Sequence, residues 1–183
     1  ASTAAKFKIA ILVNGLGLGL WAGHVPALQA THGLGKAELG LALLGMALGA
    51  VLAMPLTGPA TARWGSRRCV VTAGIVYGLA LGMPFAASGP VMLAAAMLLL
   101  GGANGAMDVA MNTQASTIER AYDRPIMSSF HAFFSIGGLV GALLAGGLIA
   151  GGVPPVLGMG FAGLGIAVAT VLAGRRLLSG GDE

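Results

Sequence analysis

Leu39-Gly-Leu-Ala-Leu-Leu-Gly-Met-Ala-Leu-Gly-Ala-Val-Leu-Ala-Met-Pro-Leu-Thr-Gly-Pro-Ala60 contains no charged side chain. A helix needs about 20 apolar residues to cross the hydrocarbon core of a bilayer, and this run supplies them. Five further stretches do the same, at about Phe7 to Leu28, Cys69 to Ala87, Val91 to Thr117, Ile126 to Ala150 and Pro154 to Gly174. Polar or helix-breaking punctuation separates them: Thr31 to Lys36, Ala62 to Arg68, Ser88-Gly89-Pro90, Glu119 to Pro125 and Gly151 to Pro155. The runs are too long for barrel strands and lack the polar/apolar alternation of a barrel, so the reading is an all-α membrane protein of six transmembrane helices.

Composition agrees. Of 183 residues 56% are hydrophobic and 9% charged, against about 25% charged in an ordinary soluble domain. Polar residues are too sparse to cover a water-facing surface. A single cysteine, Cys69, rules out a disulfide scaffold. The net charge of +4 comes from small basic groups between apolar runs, which is a topology signal and not a nucleic-acid footprint. Lys6 and Lys8 precede span one; Arg63, Arg67 and Arg68 follow span two; Arg120 and Arg124 follow span four; Arg175 and Arg176 follow span six. All of these fall on one side, and the positive-inside rule makes that side, with both termini, cytoplasmic. Lys36 is the exception, with Glu38 beside it. The basic start followed by an apolar run reads as a first membrane helix and not as a cleaved secretory signal, because no convincing cleavage site follows.

In lipid, helices associate through small residues that let backbones approach. Gly74, Gly78 and Gly82 form such a stripe on span three, and Gly45 with Gly49, Gly101 with Gly105, and Gly137 with Gly141 repeat the spacing on spans two, four and five. These faces serve as helix contacts, or also let helices rock during alternating access. Spans one and four each carry a glycine cluster followed by polar residues. Two units of three spans (about 7–87 and 91–174) in a single domain over 1–183 must insert in opposite senses, which is a 3+3 inverted repeat.

Asp108 is the one acid well inside a span. An ionisable group at mid-membrane costs on the order of 2.5 to 3.5 kcal/mol on insertion scales, so its presence requires a reason. Asn104, Asp108 and Asn112 recur every four residues and share one helix face. Two readings stand: a protonated carboxyl that locks a neighbouring helix, or one whose charged form is disfavoured by desolvation so that it loads and unloads a proton near neutral pH. On span five, Ser128, His131 and Ser135 share a face. Phe130, Phe133 and Phe134 interleave with it, as packing residues or as a stacking wall. On span one, Asn14 lies deep, whereas Trp21 and His24 lie toward the outer end as solute contacts or as interfacial anchors. The candidate solute contacts are thus Asn14, Trp21, His24, Asn104, Asn112, His131 and Ser135. No G-x-x-x-x-G-K-[ST] motif, metal-ligand spacing or nucleophile-base pair is visible, so the expectation is no enzyme, no cofactor and a proton as coupling ion.

Gly58-Pro-Ala-Thr-Ala-Arg63-Trp-Gly65-Ser-Arg67-Arg68 resembles the cytoplasmic gating-loop signature of the major facilitator superfamily, with Ala62 where that family usually places an acid. Gly105-Ala-Met-Asp108-Val-Ala-Met-Asn112 and Ser128-Ser-Phe-His131-Ala-Phe-Phe-Ser135-Ile-Gly137 look like the fourth and fifth helices of its fucose:proton symporter branch. The resemblance implies proton coupling at Asp108 and sugar contact at Asn112 and His131. That branch's first-helix aspartate has no counterpart here. Six spans match the amino-terminal half of a carrier that normally has twelve, so the resemblance implies a second six-helix half, as a homodimer partner or a separate chain. The expectation is a proton-coupled secondary carrier for a small polar, sugar-like solute in a bacterial inner membrane. Its rival is a non-transporting assembly or regulatory subunit with a structural Asp108.

Overall fold

The structure, a computed structural model, describes residues 3–175 and 177. Its elements are α1 (Thr3–Gly23), α2 (Val25–His32), α3 (Lys36–Trp64), α4 (Ser66–Ala80), α5 (Met83–Ala86), α6 (Pro90–Tyr122), α7 (Met127–Ala150) and α8 (Pro155–Gly174). Six stretches are long and apolar enough to cross a membrane: α1, α3, α4 continued through α5, α6, α7 and α8. The six expected spans are all present, with corrected ends. Lys6 and Lys8 lie inside α1 and not before it. Arg176 and the tail after Leu177 fall outside the described residues.

Span one breaks at His24. Pro26, in the first turn of α2, cannot donate a backbone hydrogen bond, and the chain tightens there through His24 N–H to the Trp21 carbonyl at 2.9 Å. The expected Ala62 to Arg68 loop shrinks to the single residue Gly65. At φ 82° and ψ 143° it takes a backbone conformation that side chains disfavour, and the chain turns from α3 into α4 in one step. Pro55 and Pro59 both lie within α3. The fourth span runs past Thr117 to Tyr122, so Glu119 is helical and not part of the connection.

The helix pairing follows the glycines. The most extensive contacts are α1 with α7 and α3 with α6, followed by α4 with α6 and α8, and then α1 with α8. Exchanging the first three spans for the last three maps α1/α7 onto α6/α3, maps α4/α6 onto α8/α1, and returns α4/α8 to itself. This is the packing signature of a 3+3 inverted repeat. At both major pairs backbone lies directly on backbone. A Cβ on Gly101 would strike the Met46 carbonyl, one on Gly49 the Leu98 carbonyl, one on Gly19 the Gly138 carbonyl, and one on Gly141 the Leu16 carbonyl. Gly78 and Gly163 make the reciprocal approach between α4 and α8. The stripes marked on spans two to five are therefore real interfaces, although Gly45 itself makes only ordinary contact with Met97.

The core lies along α6, α4 and the inner face of α1, with Tyr77, Phe7, Met97, Leu100 and Met107 fully buried. By contrast, α3 and α7 bury only 11% and 17% of their apolar stretches within the bundle. Backbone contacts cannot yield as a flexible side chain would. Gly101→Val is therefore expected to destabilise the fold by about 1–3 kcal/mol and to lower the thermal unfolding midpoint in detergent. Gly146→Ala and Gly165→Ala, where a Cβ meets open space, are expected to leave the midpoint unchanged.

Candidate functional site

The α1/α7 glycine contact sets the level of the polar residues. Gly15 abuts the Phe134 carbonyl, so Asn14 on α1 comes to the height of His131 and Phe134 on α7. A pocket of about 90 Å³ opens there, lined by Asn14 from α1, Asp108 and Asn112 from α6, and His131 from α7, with Met111 and Phe134 among its apolar walls. Three helices thus bring together four of the residues marked in the sequence. Asn14 is 3% exposed, whereas Asp108, Asn112 and His131 lie on an open face of the bundle.

Asp108 thus lies to the side of the buried core. The buried stripe of α6 passes through Gly105, Met107, Ala110, Met111 and Gln114, and the polar stripe is displaced to one side of it. Asn112 donates from Nδ2 to the Asp108 carbonyl at 2.9 Å and to its Oδ1 at 3.2 Å. Within the described residues, the carboxylate is held by its own helix and by no neighbouring one. It is oriented yet accessible. Ser135 donates to the His131 carbonyl at 3.1 Å and shares the open side of α7, whereas Asn104 is half-buried and does not line the pocket.

The fold does not bring Trp21 and His24 to this pocket. Both are buried, His24 completely, and so neither is an interfacial anchor. His24 Nδ1 lies 2.8 Å from the Leu20 carbonyl, and its ring packs edge-on against Phe85 of α5. Phe130 packs edge-on against Phe7, while Lys8 Nζ sits 5.2 Å from the centre of the Phe133 ring. Two of the three phenylalanines therefore bind α7 to α1, and only Phe130 and Phe134 reach the pocket wall.

At the turn between α3 and α4, Gly58 lies inside α3, Arg63 in its last turn, and Arg67 and Arg68 in the first turn of α4. Arg67 Nη2 donates to the Arg175 carbonyl at 3.3 Å, tying α4 to the end of α8. Beneath this, the Ser66 hydroxyl donates to Gln114 Oε1 at 2.6 Å, joining α4 to α6 in the core.

One residue here was missed in the sequence. Glu119 Oε2 accepts the backbone N–H groups of Ile126 and Met127 at 2.7 and 2.6 Å, so a carboxylate from the end of α6 caps the start of α7. The sequence carried a signal for it: the start of α7 offers no Ser, Thr, Asp or Asn at its cap, and the acid lies one short turn upstream.

The sequence pattern of the Major Facilitator Superfamily matches residues 9–179. The chain belongs to the major facilitator superfamily. It is 42% identical over 96% of its length to an uncharacterized MFS-type transporter of Yersinia pestis, of which it covers 46%. It is 40% identical over 76% of its length to an uncharacterized transporter of Sinorhizobium fredii and 38% identical over 79% to the membrane protein MosC of Rhizobium meliloti, covering 36% and 35% of those proteins. The chain thus spans less than half the length of these relatives. As a superfamily member with six stretches long and apolar enough to cross a bilayer, it is a multi-pass membrane protein.

The carboxylate bridge holds α7 in place beneath the pocket. Glu119→Ala is expected to cost about 0.5–2 kcal/mol, the usual value of a helix cap, and to speed amide hydrogen exchange at residues 126–130 before it affects the middle of α7. Unchanged exchange there would remove the bridge from the account.

Proposed function

We propose that the chain forms one wall of a proton-coupled secondary carrier for a small polar, sugar-like solute, in the manner of the fucose:proton symporter branch. The observation that carries this reading is the convergence of Asn14, Asp108, Asn112 and His131 on one pocket of an open face. At about 90 Å³ the pocket holds roughly three waters, well short of the roughly 300 Å³ at which ligand pockets begin. It is a half-site. A second six-helix half, as a second copy, a separate chain or further sequence of the same protein, completes the cavity and supplies the remaining solute contacts.

Asp108 is the coupling acid. A carboxylate that stays accessible and bonds only to an amide on its own helix gains and loses a proton without breaking a helix-helix contact. When the second half closes over it, the carboxyl is shut off from water, which links proton loading to the change of access. Asn112 and His131 offer donors and acceptors to hydroxyl groups, and Asn14 closes the inner wall. The Gly58, Arg63, Gly65, Arg67 and Arg68 segment gates the cytoplasmic end, with both termini on that side of a bacterial inner membrane.

The assay is solute uptake into proteoliposomes driven by a pH gradient, with the complete carrier and a panel of sugars and polyols. Asp108→Asn is expected to abolish gradient-driven accumulation while leaving solute counterflow intact. Asn112→Ala, which removes a hydrogen bond to a charged group, is expected to raise the half-saturating concentration about tenfold or more. Accumulation unchanged by Asp108→Asn would take that residue out of the mechanism. An absence of uptake and counterflow in every preparation would instead favour a non-transporting assembly.

A further inference from the structure

A groove of about 720 Å³ lies where α3 ends, α4 begins and α8 ends. Arg63, Arg67, Arg68 and Arg175 line it, and among the described residues its walls hold no acid. Among the described residues none of the four guanidiniums pairs with a carboxylate; the contact made there is from Arg67 to a backbone carbonyl. Ala62, which also lines the groove, occupies the position where the resembled signature carries an acid. Four positive groups facing one concavity repel one another, so the groove is built for an anion.

A second cavity identifies which kind. A cleft of about 420 Å³ runs between α3, α4 and α6, lined by Thr57, Ala73, Val76, Ala103 and Ala106 along its depth. It shares Trp64, Arg68 and Thr72 with the arginine groove. A charged mouth thus continues into an apolar slot, with Trp64, 57% exposed, at their junction, where an amphipathic ring suits the headgroup level. A free phosphate would use only the first cavity. An anionic phospholipid uses both, its phosphate among the arginines and an acyl chain along the slot.

We infer that this composite cavity is a binding site for one anionic phospholipid, held by the arginines that Ala62 leaves without an acid. The bound lipid neutralises the α3-α4 turn and fills the cleft between α3 and the α4/α6 pair. This inference stands apart from the transport reading, because it is tested by lipid retention alone.

The test is native mass spectrometry of the intact protein purified in detergent, with phosphatidylglycerol, phosphatidylcholine or inorganic phosphate added. One phosphatidylglycerol is expected to be retained in preference to phosphatidylcholine, with retention about fivefold weaker for each arginine removed by Arg63→Ala or Arg68→Ala. Ala62→Asp, at an exposed position, keeps every arginine and is expected to weaken retention by a similar factor. Cys69 also lines the slot, so its alkylation by a maleimide is expected to slow with phosphatidylglycerol and not with inorganic phosphate. Equal retention of the two lipids, full competition by inorganic phosphate, or retention unchanged by both Arg68→Ala and Ala62→Asp would overturn the proposal. So would failure of any lipid to enter because an acidic segment of the protein already fills the groove.

Discussion

Backbone contact at glycine is the constraint on which the remainder of this fold rests. Lipid offers helices no hydrophobic reward for meeting, so association depends on dispersion between closely fitted surfaces and on the few polar bonds that cross them. Where Gly101 meets Met46 and Gly19 meets Gly138, the two helix axes come as near as their main chains allow. The vertical registers of α3 on α6 and of α1 on α7 are fixed together. The pocket inherits that precision: Asn14 faces the level of His131 because Gly15, its neighbour, is seated against Phe134. A small polar site in a membrane can thus be positioned by residues that carry no chemistry.

The spans were legible because crossing a bilayer imposes a length and a hydrophobicity that no local interaction overrides. The glycine stripes were legible as interfaces for the same reason. Their partners were not, since Gly49 and Gly141 look alike in sequence and only the three-dimensional exchange pattern assigns one to α6 and the other to α1. In the candidate site, the four-residue recurrence on α6 correctly placed Asp108 with Asn112, whose amide reaches it. The orientation of that face was not readable: apolar and polar stripes on α6 lie side by side, and burial is decided by α3 and α4. Trp21 and His24 show the opposite failure. Polar tips near a helix end suggested the interface or the pathway, yet both side chains are buried within the bundle, His24 against Phe85 of α5.

Two connections at the same end of the bundle secure their helices with different chemistry. On one side of the core, Glu119 satisfies the first amides of α7; on another, a one-residue turn at Gly65 starts α4, and the chain is tied down by Ser66 to Gln114 and by Arg67 to the α8 carbonyl. Each device joins neighbouring helices through a hydrogen bond at or beside a helix terminus, where backbone groups lack partners. Substituting Ala for the acid in the gating signature leaves these structural ties intact while removing the counter-charge. Architecture and charge balance are therefore separable at this turn.

The exchange symmetry has a consequence for biogenesis. Every major helix pair joins one member from the first three spans to one from the last three, and within either trio the contacts are slight. A ribosome delivers the spans in order, so α1, α3 and α4 enter the bilayer before any of their principal neighbours exist. They must wait there as loosely associated helices, with the glycine faces of α1 and α3 turned to lipid or to an insertion factor, until α6 and α7 arrive. Assembly is then a late event that interdigitates two trios, and the interval before it is when the nascent chain is most open to capture by quality control.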